Sequence, residues 1–189
     1  MKKYILTRFE IYILIMVIFS IILQINFHQL KWLTFIILAA LGIIFEFLTK
    51  DLWVYNEELY KSPFTFADNF LFGLIRLTKR YDINLIFGLG WSALIVISYT
   101  VSSIIQNFIH LKYPVILDLI SFGIIGNLAE QFYYSVNLFR YNKTHPMLKF
   151  PMFIGKYIEV FNIPLMVRLG YFTTLGLMVY VIVRFIYLL

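Results

Sequence analysis

Acidic side chains are scarce in this chain, ten among 189 residues, so those placed inside apolar runs are the first candidates for chemistry. The sharpest is in Gly123-Ile-Ile-Gly126-Asn127-Leu-Ala-Glu130-Gln131. Asn127 and Glu130 are three apart, and Gly123 precedes Glu130 by seven, so a helix would carry all three on one face. Such a glutamate can act as a base or relay a proton, and the asparagine can hold a peptide backbone or an opposing helix end. The glycines let another backbone or a ligand approach closely. The same pattern also makes a plain helix-packing face with one interhelical hydrogen-bond pair. Asp118 lies twelve residues before Glu130, roughly 18 Å along the same helix, too far to share a proton with it.

Three further blocks combine acids, amides and turn residues. Glu46-Phe47-Leu48-Thr49-Lys50 closes one apolar run, and Asp82-Ile83-Asn84-Leu85-Ile86-Phe87-Gly88 opens the next. Phe161-Asn162-Ile163-Pro164-Leu165 precedes the last, with Glu159 two residues ahead of it. His28, His110 and His145 fall in separate loops without ligand spacing, so neither a metal nor another cofactor is expected. The chain has no cysteine, which excludes disulfides, thiolate metal sites, a cysteine nucleophile and an acylated cysteine.

The elements that must position these groups are membrane helices. Hydrophobic residues make up 61% of the chain, aromatics 20% and charged residues 14%, with a mean hydropathy of +0.84. One soluble core of this length cannot hide that much apolar surface. A helix satisfies its own backbone in lipid, and the long unbroken runs do not alternate as barrel strands would. A span needs ~20 mostly apolar residues, and five stretches come near that: Ile11–Phe27, Trp32–Leu48, Leu85–Phe108, Pro114–Phe132 and Leu169–Leu189. Met1-Lys2-Lys3 and Arg8 before the first run resemble a signal peptide, but no small-residue cleavage site follows, so this run reads as a retained helix. The connections 50–84 and 133–168 read as structured interfacial loops, with room for a small β element in 50–84. One membrane domain spans 1–189. The net charge of +6 points to membrane lipids as partners, and the scattered basic residues form no nucleic-acid platform.

In order and spacing, the four blocks resemble those of signal peptidase II, the bacterial lipoprotein signal peptidase. That family has Asp-Gln-x-Thr-Lys after its first helix and Asn-x-Gly-x-x-Phe-Gly before its second. Gly-Asn-x-x-Asp-Arg lies in its third, and Phe-Asn-x-Ala-Asp leads into its fourth. The resemblance covers about Ile36 to the C-terminus. It implies an all-α membrane protein with a four-helix core over about 32–189, one extra N-terminal helix at about 11–27, and residence in the bacterial cytoplasmic membrane as a multi-pass protein. It further implies two aspartates that activate water against the peptide bond before a lipid-modified cysteine.

The departures fall on those acids. The first aspartate position holds Glu130, with Gln131 where arginine is expected; the second holds Leu165, after Pro164 in place of alanine. Paired carboxylates divide acid and base roles, which a single one cannot. Glu159 is the local acid that could restore a pair with Glu130. Glu46, Thr49, Lys50, Asp82, Asn84, Gly123, Gly126, Asn127, Phe161 and Asn162 would contact substrate or pack the fold. The favoured expectation is a catalytically impaired homologue that binds a lipid-modified or transmembrane peptide as an adaptor, chaperone or antibiotic decoy. The alternatives are an active aspartic-type endopeptidase using Glu130 and Glu159, and a small transporter or lipid-handling protein with Glu130 as proton relay.

Orientation divides these indications. Counting crossings, the N-terminus and both long loops share one side, which leaves only Lys31, Lys112 and Arg184 of the sixteen basic residues on the other. The charge rule therefore puts the loops in the cytoplasm, whereas the resemblance puts them and the site outside. Three resolutions stand open. The favoured one is a compact loop surface, for which loop-charge counting is a poor guide. The others are a first helix lying in the interface, which alone would not change the loop imbalance, and a truly inverted protein.

Overall fold

A computed structural model describes residues 6–27, 32–68, 70–150, 155–173, 176–177 and 180–183. Its four long helices are α1 (Arg8–Phe27), α2 (Trp32–Thr49), α3 (Ile86–Ile109) and α4 (Pro114–Ser135), all long and apolar enough to cross a membrane. A shorter helix, α5 (Leu165–Phe172), follows the second loop. Of the expected fifth span, 176–177 and 180–183 are also helical, and its remaining positions after Thr173 lie outside the described residues. His28 also lies outside them.

Helix α3 is the axis: α1, α2 and α4 pack against it, and α5 packs on α4. In lipid no hydrophobic force drives helices together, so close approach through small residues must do so. A Cβ added at Gly88 would stand 2.4 Å from the Ala39 carbonyl oxygen of α2, and one at Gly42 2.7 Å from Trp91 Cβ. One turn beyond the Gly88 contact, Ser92 Oγ donates to the Phe35 carbonyl at 2.9 Å, a bond across the helix pair. The outward faces of α1 and α2 carry exposed Ile15, Ile18, Ile22, Ile25, Leu33, Ile36 and Ile44, a distribution that suits lipid as solvent.

Helix α1 begins at Arg8, before the apolar run, because Thr7-Arg8-Phe9-Glu10 forms a capping box. The Thr7 amide donates to Glu10 Oε2 at 2.8 Å, and the Glu10 amide to Thr7 Oγ1 at 3.4 Å. The other Glu10 oxygen accepts from Ser62 Oγ and from Asn84 Nδ2. Asn84 also donates to Thr65 Oγ1 at 2.8 Å, and its Oδ1 accepts from the Ile86 amide at 2.9 Å, opening α3. All five polar side chains are buried, so the network fastens the start of α1 to the loop before α3.

The two long loops build one cap. Strand β1 (Trp53–Tyr55) pairs antiparallel with β2 (Phe139–Tyr141), in the register Trp53↔Tyr141, Val54↔Arg140 and Tyr55↔Phe139. The β element expected in 50–84 therefore exists, and its partner strand comes from the other loop. The Asn56 amide donates to Leu138 O at 2.9 Å, the Asn142 amide to Leu52 O at 2.8 Å, and Arg8 pairs with Glu58 at 2.9 Å. Phe9, Tyr55, Phe87, Phe139, Tyr141 and Leu148 fill the space beneath. The start of α1 and both loops thus share one end of the bundle. Helix α4 runs three residues past the expected Phe132, and Tyr133 and Tyr134 pack into this cap. A second hairpin joins β3 (Glu159–Val160) to β4 (Ile163–Pro164). Helix α5 starts directly after it, four residues before the expected Leu169, and its first amide donates to Ile158 O at 2.8 Å.

Candidate functional site

Glu130 sits one and a half turns before the end of α4, under the cap. Tyr141 of β2 donates its hydroxyl to Oε1, and Tyr171 of α5 donates to Oε2 at 2.9 Å. Burial and the facing carboxylate push the Tyr141 phenol well above its ordinary pKa, which keeps it a donor. Each oxygen of the candidate base thus accepts from a phenol, and the two phenols come from different elements.

The same face of α4 closes on α5. A Cβ added at Gly123 would lie 2.0 Å from the Phe172 ring, and one at Gly126 2.2 Å from the Tyr171 ring. The glycines admit aromatic rings of the protein itself. Asn127 Nδ2 donates to Gly123 O at 2.8 Å and to Arg168 O at 3.2 Å. Its Oδ1 accepts from Arg168 Nη1 at 3.2 Å, Arg168 Nη2 donates to Gln131 Oε1, and Arg168 Nε donates to Val160 O at 2.7 Å. Gln131, at the position where the resemblance expects arginine, is therefore bound by an arginine from another helix.

A second carboxylate approaches from α2. Glu46, 4% exposed, accepts from Trp91 Nε1 at 3.0 Å through Oε1, while its Oε2 is buried without a hydrogen-bond partner among the described residues. Trp91 stacks on Tyr171 with ring centroids 6.2 Å apart. Glu46, Trp91, Tyr171 and Glu130 form a continuous chain from α2 through α3 and α5 to α4.

The Glu130–Glu159 pair of the alternative reading does not form. Glu159 lies on the exposed hairpin and pairs with Lys143 at 3.0 Å, which holds its carboxyl below the usual range. A solvated acid beside a lysine gains more from that cation than from entering the bundle. Leu165 is the first residue of α5 and brings no acid.

The remaining candidates serve local structure. Thr49 Oγ1 donates back to Phe45 O at 2.7 Å, and the Lys50 ammonium lies over the rings of Phe47 and Tyr81. Asp82 Oδ1 accepts from the Tyr60 hydroxyl and from the Tyr55 amide at 3.3 Å; burial, opposed by these bonds, raises its pKa. Asn84 is the hub of the α1 cap. Phe161 and Asn162 form the two-residue turn of the second hairpin, with φ of 50° and 63°, the left-handed pair that a type I′ turn demands. Phe161 is 77% exposed and lies over the Arg168 guanidinium. Asp118 Oδ1 accepts from Ser102 at 2.5 Å. Among the described residues no group of three His, Asp or Glu could hold a metal ion.

Sequence reading passed over Tyr141, Tyr171, Trp91, Arg168, Glu10 and Ser62. Only Glu10 had a local signal, the Thr-x-x-Glu box ahead of an apolar run. Trp91 and Tyr171 reach their acids across 45 and 41 residues, and Tyr141 reaches Glu130 across 11 that include the end of α4 and a turn, so no single helical period joins any of these pairs.

In comparisons with known proteins, no protein-family model, no curated protein and no solved structure matches this chain.

Proposed function

We propose that this is a multi-pass protein of the bacterial cytoplasmic membrane on a signal-peptidase-II-like scaffold, which binds a lipid-modified or transmembrane peptide without cleaving it. One observation carries the reading: both oxygens of Glu130 are occupied by Tyr141 and Tyr171, while Leu165 stands at the second acid position. Each oxygen keeps a second lone pair, but the group lies beneath the cap. A cleaving pair needs a second acid to protonate the leaving amine, which Leu165 does not supply. Here the carboxylate holds the cap to the bundle instead. The test is incubation of purified protein in nanodiscs with a diacylated prolipoprotein peptide carrying a photo-crosslinker. Crosslinking without cleavage is expected. Cleavage that disappears in Glu130→Gln would overturn the proposal, as would the absence of any saturable crosslink.

A second reading, an active peptidase with altered acids, gains one specific support. The Oε2 of Glu46, without a hydrogen-bond partner among the described residues, and the link through Trp91 and Tyr171 offer a second carboxylate that Glu159 does not. Cleavage abolished by both Glu46→Gln and Glu130→Gln, with Glu159→Gln unchanged, would establish it.

A further inference from the structure

The loop before α3 carries a surface that neither the site nor the packing of the bundle uses. Its base is clamped where α3 is about to begin: the Phe66 amide donates to Ile83 O at 2.9 Å, and the Tyr81 amide to Phe66 O at 2.8 Å. Leu71, Phe72 and Gly73 adopt left-handed conformations in succession, with φ of 48°, 60° and 83°. For leucine and phenylalanine this backbone is strained and persists only when the surroundings impose it. The Leu71 amide donates to Pro63 O at 2.8 Å, the Ile75 amide to Phe70 O at 3.3 Å, and Phe64 packs edge-on against Phe72. The reversal has a clear result. It turns Leu74 out to 84% exposure, with Phe72 at 52% and Ile75 at 43%.

Beside these apolar tips stand Arg76, Lys79 and Arg80, all exposed. Arg80 is engaged by Glu57 at 3.2 Å and by Asp68 at 3.8 Å. Lys79 rests over the Tyr81 ring, and Tyr81 also carries Lys50. From Phe70 to Tyr81 the sequence contains no acid. Apolar side chains that enter the acyl boundary, flanked by cations at headgroup depth, match the chemistry of an anionic lipid surface.

We infer that the segment Phe72–Arg80 is a docking surface for anionic phospholipid in the leaflet next to the loop cap, with Phe72, Leu74 and Ile75 entering the interface and Arg76 and Lys79 meeting the phosphates. The segment continues directly into α3, so its tip cannot move far from the membrane boundary. The occupant is then the bilayer that already surrounds the bundle. Insertion would fix the cap over the Glu130 end and hold the base of α3 against the headgroups.

The absence of native cysteine makes the test clean. Leu74→Cys in the full chain is labelled with an environment-sensitive fluorophore and reconstituted in nanodiscs of phosphatidylcholine, with or without phosphatidylglycerol. The expected result is blue-shifted emission, quenched by spin-labelled lipid, that strengthens with phosphatidylglycerol. In Arg76→Gln/Lys79→Gln the phosphatidylglycerol needed for half the effect should rise about 25-fold, since each of the two interfacial cations contributes roughly a factor of five. A label at Lys61→Cys, exposed on the same cap, should stay water-like and show that the cap as a whole is not submerged. Water-like emission from position 74 in both lipids would overturn the inference. So would equal insertion in both with no effect of the double substitution. Circular dichroism of each variant separates loss of docking from loss of fold.

Discussion

Tyr171→Phe removes one oxygen and isolates one bond. The phenylalanine ring retains the stack on Trp91 and the contact with Phe122, whose centroid is 5.8 Å away. What disappears is the donor at 2.9 Å from Glu130 Oε2, in a residue only 5% exposed. A hydrogen bond to a charged acceptor contributes ~1.5–3 kcal/mol in soluble proteins. Interhelical side-chain bonds in membranes average ~0.6 kcal/mol and reach ~1.7, because the unfolded chain in lipid also finds partners. Glu130 lies about 8 Å from the last residue of α4, under a protein cap that keeps water from replacing the lost donor. The upper part of the membrane range therefore applies, and Tyr171→Phe should cost about 1.5 kcal/mol, close to a tenfold change in the folding equilibrium. Reversible unfolding in mixed micelles of mild detergent and dodecyl sulfate, followed by far-ultraviolet circular dichroism, measures it. The same substitution in a Glu130→Leu background should cost less than about 0.5 kcal/mol, giving a coupling near 1 kcal/mol in the double-mutant cycle. Equal costs in the two backgrounds would refute the hydrogen-bonded Glu130 on which the non-catalytic reading depends.

Other consequences of the structure are open to simpler measurements. Gly126→Ala, which forces a methyl to 2.2 Å from the Tyr171 ring, should destabilise by about 1–3 kcal/mol in the same unfolding assay, whereas an unchanged midpoint would place α5 elsewhere. Lys143→Ala should cost less than about 1 kcal/mol, because its pair with Glu159 is exposed; a larger loss would mean that Glu159 has a buried role. The pKa of Asp82 is raised by burial, so its contribution to stability is present below the ordinary aspartate value near 4 and is lost as pH rises through the elevated value. Thermal unfolding of Asp82→Asn should accordingly fall less steeply than wild type as pH increases from about 4, and parallel profiles would exclude this group. Single cysteines at Lys61 and Lys149 should label together with an impermeant thiol reagent, and from outside the cell if the cap is placed as in signal peptidase II. Labelling at only one of them would break the shared end, and labelling only after permeabilisation would place the cap in the cytoplasm.

The membrane class was legible in composition, since 61% hydrophobic residues need a solvent other than water. The runs at Leu85–Phe108 and Pro114–Phe132 located α3 and α4 to within three residues at each end, because apolar length against bilayer thickness is a one-dimensional property. Periodicity likewise placed Gly123, Asn127 and Glu130 on one helix face. Whether that face meets a substrate, lipid or the protein itself is a three-dimensional question. Tertiary structure decided that Tyr171 and Phe172 fill the glycine notches, that Arg168 takes up Asn127 and Gln131, and that Glu159 turns to Lys143. The β1–β2 pair needs partners more than eighty residues apart, Trp53 with Tyr141 and Tyr55 with Phe139. A hydrogen bond is satisfied by whichever donor the fold brings within about 3 Å. The sequence by itself established where the costly polar groups lie in the helices, and only the packing of α5 and the two loops determined which groups satisfy them.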